Sequence, residues 1–185
     1  MPTLAQLNAF DRAAFAAALG YLFEHSPWVA EETWWRRHCR RNAGDAGLFR
    51  DVPHLFAELC ATMRGATRER QLALIRAHPD LAGRLAQRKQ LTAESAREQA
   101  GAGLNELTTA ELAEFQQRNE AYRARFGFPF IICARLNDRA AMVAAMQSRL
   151  CHSPDEEFQT ALGEIEKIAR LRLDDVLQGD QRFQS

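Results

Sequence analysis

The stretch SPDEEFQTALGEIEKIARLRLDDVL, residues 153–177, contains the clearest helix signal in the sequence. Ser153 can cap a helix, and Pro154 suits the first helical position because its missing N–H would have no helical partner there anyway. Glu156 completes a capping box with Ser153. Apolar residues then recur at helical spacing, namely Phe158, Leu162, Ile165, Ile168, Ala169 and Val176. The pattern predicts one long helix over roughly residues 154–177.

An arginine lies within the apolar face of this helix. Arg172 follows Ile165 by seven residues and Ile168 by four. At about 100° per residue it falls near the centre of the apolar stripe, whereas Arg170 points toward solvent. A guanidinium directed at a core is costly unless an anion or several acceptors meet it. Two interpretations stay open: a buried pair with a carboxylate, or a clamp for an anion or carbonyl group of a ligand.

Helix signals also dominate the rest of the chain. Alanine is abundant while valine and isoleucine are scarce, which favours helix over strand. Asp11 and Ser26 are placed to cap two early helices. Thr108 and Glu111 form a second capping box, before a long helix that Gly127 ends.

The predicted core and fold class follow from the same periodicity. Further apolar positions expected inside are Phe15, Leu19, Leu22, Trp28, Val29, Trp35, Leu55, Leu59, Met63, Leu72, Ile75, Leu112, Phe115, Tyr122 and Phe126. The only strand-like run is Phe128–Cys133, which we expect to be extended chain buried between helices. The sequence therefore predicts an all-α, compact single-domain bundle of about eight helices over residues 1–178, followed by a C-terminal tail over 179–185.

Composition limits the classes of function. The chain has 185 residues, with 24 Lys+Arg and 24 Asp+Glu, so there is no basic excess of the kind that nucleic-acid binding usually leaves. No stretch approaches the ~18–20 apolar residues of a membrane span, and no secretory signal is visible. Four scattered cysteines without a C-x-x-C spacing are expected to be reduced and mostly buried. We therefore expect a cytoplasmic protein.

His78 is the first candidate for chemistry. It precedes Pro79 in AHPDLA, where the proline ends a helix near Ala77 and holds the histidine at an element boundary. One interpretation is a histidine that interacts with the dipole of the helix C-terminus. The other is a general acid or base, since unperturbed imidazole titrates near neutral pH.

A polar cluster follows in ESAREQAGAGL. If Thr92 caps this helix, Ser95 and Glu98 lie three residues apart on one face, and Gln99 follows directly. Such a set suits a small ligand rich in hydrogen-bonding groups. The competing interpretation is that Ser95 and Glu98 are themselves a capping box.

Other motifs give weaker signals. The five histidines show no metal-ligand spacing, and neither a phosphate-binding loop nor a nucleophile elbow is present. Two further classes of function remain as alternatives. One is a helical module that binds a protein through the segment containing Trp28, Trp34 and Trp35, and the other is a nucleic-acid binder that uses the arginines within residues 36–41.

Several strings identify a resemblance. LNAFDRAAFAAALGYLFEHSPWVAE, QLALIRAHPDLAG, LTAESAREQAGAGLNEL, FQQRNEAYRARFGFPFIIC and EIEKIARLRLDDV, in this order, resemble the 2-oxo-4-hydroxy-4-carboxy-5-ureidoimidazoline (OHCU) decarboxylases over residues 4–177. The resemblance implies an all-α fold, usually a homodimer. It also implies conversion of OHCU to (S)-allantoin and CO2 in uric acid degradation, without a metal or organic cofactor and without nucleic-acid or membrane partners.

The resemblance also implies site residues. It makes His78 and Glu98 catalytic. The substrate-binding set that it implies is Pro79, Ser95, Gln99, Arg172 and the backbone of Phe130, Ile131 and Ile132. The segment ARLNDRA after FPFIIC departs from the short basic-glycine turn that is common in the family. This departure affects only that loop and any role for Arg135.

Overall fold

A computed structural model describes residues 2–42, 47–83 and 91–177. Within these ranges the chain forms nine α-helices, two short 3-10 turns at Gly20–Leu22 and Ala134–Leu136, and no strand. The helices are α1 (Leu4–Ala9), α2 (Arg12–Leu19), α3 (Trp28–Asn42), α4 (Val52–Arg64), α5 (Arg68–Ala77), α6 (Ala93–Gly101), α7 (Thr109–Phe126), α8 (Arg139–Arg149) and α9 (Pro154–Leu177). The all-α prediction is confirmed, and the predicted tail over 179–185 lies outside the described residues.

The chain divides into two compact units. The first unit consists of Met1–Leu74 with Ile168–Ser185, and the second unit of Ile75–Lys167. Helices α5 and α9 each contribute residues to both. None of the helices in the described part of the chain is long and apolar enough to cross a membrane.

In the first unit, α3 packs against α2 and α4. Asp11 caps α2 as predicted, because its carboxylate accepts a hydrogen bond from the Ala14 N–H at 2.8 Å. Helix α3 begins at Trp28, two residues after the predicted cap Ser26. The predicted apolar positions Phe15, Leu19, Leu22, Leu55, Leu59 and Met63 are all buried.

The end of α5 departs slightly from the predicted pattern. The helix ends at Ala77, as Pro79 predicts. Its buried apolar residues are Leu74 and Ile75, whereas Leu72 is only half-buried. The buried apolar face of α5 therefore includes Leu74 rather than the predicted Leu72.

In the second unit, α7 begins at the predicted capping box of Thr108 and Glu111 and ends at Gly127. Gly127 has a φ of 75°, a left-handed conformation that favours glycine. The run Phe128–Cys133 is extended, buried at every residue and not part of a sheet, as predicted. Of the other apolar positions expected inside α7, Phe115 and Tyr122 are buried while Leu112 and Phe126 are half-buried.

Helix α9 confirms the opening prediction at both ends. The Ser153 N–H donates to the Glu156 carboxylate at 2.8 Å, and the Glu156 N–H donates to Ser153 Oγ at 3.3 Å, which completes the capping box. The helix runs from Pro154 to Leu177. Its six predicted stripe residues are buried, and so is Arg172.

Candidate functional site

His78 begins the loop that follows α5, and its side chain is only 6% exposed. The His78 N–H still donates to the Ile75 carbonyl at 3.2 Å, so the residue stands at the last turn of the helix. The loop then bends at Ala82, whose φ of 49° is unusual for a residue with a side chain. Neighbouring groups must hold such a conformation in place.

Gln99 on α6 is one of the groups that hold this loop. Its side-chain oxygen accepts a hydrogen bond from the Ala82 N–H at 3.0 Å, and its amide nitrogen donates to the Asp80 carbonyl at 3.4 Å. Gln99 is buried, as is Ser95 one helical turn earlier. The residue predicted to bind substrate therefore also fixes the backbone of the loop that begins at His78.

Helix α7 holds the same loop through two residues that the sequence did not single out. The Asn119 amide nitrogen donates to the Leu81 carbonyl at 2.9 Å within buried surroundings. The Arg123 guanidinium donates to the Asp80 carboxylate at 2.9 Å and 3.1 Å. Asn119 and Arg123 are four residues apart, a spacing that puts them on one helix face. This spacing is the only feature of the sequence that groups the two residues.

A cavity of about 370 Å³ lies beside this loop in the second unit. His78, Pro79, Asp80, Asn119 and Arg123 are among its lining residues. The cavity therefore adjoins both the candidate histidine and the α7 side chains that hold its loop.

Glu98 lies on α6, which begins at the predicted Thr92 cap, where the Ser95 N–H donates to Thr92 Oγ1 at 3.3 Å. The helix packs against the 3-10 turn that follows the extended run. Burial raises the pKa of the Cys133 thiol, and the nearby carboxylates of Glu164 and Glu98 add to this rise. Glu98 is half-buried. Its effect on the pKa of Cys133 shows that its carboxylate is within electrostatic range of the extended run.

The extended run presents buried peptide groups. The Ile131 carbonyl accepts a hydrogen bond from Arg149 at 2.8 Å, and the Cys133 N–H donates to Glu164 at 2.8 Å. Among the described residues, no acceptor is found for the N–H groups of Phe130, Ile131 and Ile132. Successive buried N–H groups of this kind suit a carbonyl or carboxylate of a ligand.

A buried ionic network supports the extended run. Arg149 is paired with Glu157, which also accepts a hydrogen bond from the Tyr122 hydroxyl and lies 2.9 Å from His152 Nδ1. The Arg149 guanidinium also lies 4.5 Å from the centre of the Phe130 ring. Burial raises the pKa of Tyr122, and its hydrogen bond to Glu157 acts in the same direction, so the hydroxyl stays protonated. Neither Arg149 nor Glu157 carries a motif in the sequence that predicts this role.

In the first unit, Arg172 is paired with a carboxylate. Its Nη1 atom lies 3.0 Å from Glu24 Oε2 and 3.1 Å from the Tyr21 carbonyl. The two side chains are 3% and 2% exposed. The first of the two sequence-based interpretations is therefore correct, and a role toward a ligand stays a prediction.

Two arginines and a tryptophan of α3 have partners within the first unit. Arg37 is buried and donates to the Asn8 carbonyl, while Arg40 pairs with Glu58. The Trp34 indole donates to the Phe10 carbonyl at 2.9 Å. Val29 is buried as predicted, but the prediction that Trp35 lies inside is wrong, because its ring stacks on His38 and is 54% exposed. These contacts favour a structural role for the segment.

The cysteines correct one expectation. All four are free, but Cys39 and Cys151 are exposed, Cys60 is half-buried and only Cys133 is buried. The expectation that most are buried is therefore wrong, because Cys39 and Cys151 lie on exposed positions rather than on apolar stripes.

Comparisons with known proteins cover nearly the whole chain. A model of the family described as OHCU decarboxylase matches residues 8–174. The chain is 42% identical over 171 residues to the 2-oxo-4-hydroxy-4-carboxy-5-ureidoimidazoline decarboxylase of Haloferax volcanii, covering 92% of this chain and 94% of the relative. The chain belongs to the OHCU decarboxylase family.

Two further similarities agree with the family. The mouse (Mus musculus) protein of the same name is 41% identical over 174 residues, covering 94% of this chain and 92% of the relative. A crystal structure of (S)-allantoin synthase is 30% identical with a TM-score of 0.73, covering 96% of this chain. The chain spans about half of that solved chain, 54% of its length.

The OHCU decarboxylase family is a family of carboxy-lyases, so the chain is an enzyme. The second unit holds most of the predicted site residues, and Gln99 links α6 directly to the loop that begins at His78. Arg172 belongs to the first unit.

Proposed function

We propose that this chain catalyses the decarboxylation of OHCU to (S)-allantoin and CO2 in uric acid degradation. The observation that carries the proposal is the family match over residues 8–174, which takes in every predicted site residue. The names of the relatives and of the solved (S)-allantoin synthase agree with this substrate and product.

The chemistry needs no electron sink beyond the substrate. OHCU has a C=N bond next to the carbon that loses CO2. When the C–C bond to the carboxylate breaks, its electron pair forms a C=C bond to the imine carbon. The C=N pair moves to the nitrogen, which takes up a proton, and an enol is left. The enol then becomes a carbonyl while a proton is added at the former imine carbon, which becomes the stereocentre of allantoin. This reaction therefore requires neither pyridoxal nor thiamine.

His78 and Glu98 act as the acid–base pair in this proposal. Glu98 orients the imidazole and biases its charge, and His78 exchanges the proton with the enol. The confined position of His78, at the start of a loop that α6 and α7 both bind, supports delivery of the proton to one face. General acid–base help of this type contributes about 10²–10⁴-fold to a rate.

The remaining residues bind the substrate. Ser95, Gln99 and Pro79 contact the ureido and imidazolinone edges, together with the N–H groups of residues 130–132. The lack of protein acceptors for those N–H groups among the described residues supports this assignment.

Arg172 binds the ring carbonyl or hydroxyl, where negative charge builds during the reaction. A tight grip on the departing carboxylate would instead stabilise the ground state and oppose loss of CO2. The buried position of the guanidinium supports a fixed and directional contact.

The resemblance to the family also supports a cytoplasmic homodimer without metal or organic cofactor. Light scattering on the purified chain tests the oligomeric state. A mass of one chain at assay concentration would contradict the dimer.

The proposed activity is tested by mixing the purified protein with freshly made OHCU and following its absorbance. The proposal expects the absorbance to decay faster than in a blank, in proportion to protein concentration. A decay equal to that of the blank would contradict the proposed function.

A further inference from the structure

Glu24 is a buried carboxylate whose charge the reaction scheme above does not use. It lies between the 3-10 turn Gly20–Leu22 and helix α3, and its side chain is 2% exposed. The next residue, His25, has a φ of 47°, so the backbone adopts an unusual conformation where Glu24 meets Arg172. Such a conformation is kept only when the surrounding contacts hold it.

The contact changes what Arg172 can offer a ligand. Glu24 and the Tyr21 carbonyl both accept from Nη1 of Arg172, so this corner of the guanidinium is directed at the protein. Glu24 also places a negative charge 3.0 Å from the guanidinium, which offsets much of the attraction that Arg172 would exert on an anion. A ligand that contacts Arg172 would therefore meet a directional donor whose positive charge is partly offset by Glu24.

A lone guanidinium would behave differently toward this substrate. OHCU has a carboxylate as well as a ring carbonyl, and arginine binds carboxylates strongly and often through two parallel hydrogen bonds. An unneutralised Arg172 would therefore bind the carboxylate that has to leave. Substrate held in that way is stabilised in its ground state.

We infer that Glu24 is a positioning and specificity residue, which neutralises and orients Arg172 so that it binds the ring carbonyl of the substrate rather than the carboxylate. The inference rests on the proposed function, because it requires Arg172 to contact substrate. Glu24 lies on a different element from Arg172. Removing its charge should raise the affinity for anions, whereas a purely structural role predicts no such rise.

The first test uses two stable ligands with a five-membered ring. Binding of neutral (S)-allantoin and of the anion hydantoin-5-acetate is measured by calorimetry for the wild type and for Glu24→Gln. The glutamine keeps the size of the side chain and removes its charge. Affinity for the anion should rise about tenfold or more, while affinity for allantoin stays within about twofold.

Two variants control the binding test. Glu24→Asp keeps the charge, so its ratio of anion to allantoin affinity should stay at the wild-type value. Glu31→Gln removes one negative charge from α3, where Glu31 pairs with the exposed Arg12, and it should leave both affinities unchanged. An equal loss of both affinities in Glu24→Gln, or no change in the ratio, overturns the inference.

Kinetics with OHCU give a second readout. In Glu24→Gln, both kcat and KM should fall about tenfold while kcat/KM changes little, because the extra binding is to a non-productive or ground-state form. A purely structural role would instead lower kcat/KM. A rise in KM or in kcat would overturn the inference.

A double variant keeps the test decisive if circular dichroism shows that Glu24→Gln does not fold. Glu24→Gln/Arg172→Gln removes both buried charges, so its ratio of anion to allantoin affinity should equal that of the wild type, in which the two charges offset each other. A lower ratio would show that Arg172 acts as a net cation in the wild type and would overturn the inference. Failure of the proposed function is distinguishable, because then the wild type itself neither accelerates OHCU decay nor binds allantoin.

Discussion

At the scale of single residues, two of the buried arginines in the described part of the chain are each paired with a buried carboxylate. Arg172 is paired with Glu24 in the first unit, and Arg149 with Glu157 in the second. Removing one member of such a pair leaves the other charge buried without compensation. Charge-preserving or shape-preserving variants are therefore the informative ones at these positions.

His78→Asn tests the acid–base assignment. Asparagine is similar in size but cannot exchange a proton near neutral pH, so turnover of OHCU should fall by about 10²-fold or more. Far-ultraviolet circular dichroism should keep its helical signal. Retained activity would remove His78 from the mechanism.

Arg172→Lys tests the clamp. Lysine keeps the positive charge beside Glu24 but lacks the planar fork of the guanidinium, so kcat/KM should fall by more than about tenfold. Arg170→Lys is the matched control, because Arg170 lies on the same helix and pairs with Asp174 near the surface. A loss smaller than about tenfold, or an equal loss in the control, would contradict the clamp.

At the scale of elements, the loop after α5 takes its shape from two helices. Gln99 from α6 and Asn119 and Arg123 from α7 bind its backbone and the Asp80 carboxylate. The position of His78 therefore depends on residues that need not touch the substrate.

Asn119→Leu tests this dependence. The change removes the hydrogen bond to the Leu81 carbonyl, which should cost about 1–3 kcal/mol of stability. Hydrogen exchange in residues 78–83 should become faster, and kcat should fall. Gln117→Ala, at an exposed position of α7, should leave both unchanged. Unchanged exchange in the Asn119 variant would show that the loop does not depend on this contact.

Glu157→Gln tests the network beneath the extended run. The variant leaves Arg149 buried without a carboxylate, which should lower the free energy of unfolding by about 3–5 kcal/mol. Thermal and urea unfolding measure the loss. Glu114→Gln, which breaks the exposed pair with Arg118, should cost less than about 1 kcal/mol. Equal stability of the two variants would contradict a supporting role for the network.

The elements that sequence predicts well are those that local signals determine. The capping boxes at Thr108 and Ser153, and the left-handed Gly127, involve only neighbouring residues and match the structure. The contacts that shape the site join distant residues, such as Asn119 with Leu81, 38 positions apart. Periodicity places Arg172 inside the protein, but it cannot identify Glu24, 148 positions away, as its partner.

At the scale of the whole molecule, family membership identifies the reaction, and local geometry shows how individual side chains are held. The match to the OHCU decarboxylases identifies the class of reaction. The structure adds how Gln99 and Asn119 hold the loop that begins at His78, and how Glu24 neutralises Arg172. Both are needed to predict whether a substitution raises or lowers activity.

If this chain decarboxylates OHCU and protonates one face of the resulting enol, the configuration of the product must show it. The reaction is run in D2O and followed by circular dichroism, with the product then examined by NMR. We expect (S)-allantoin of a single configuration, with one deuterium on the carbon that bears the ureido group. Racemic allantoin formed at the rate of the protein-free reaction would contradict it.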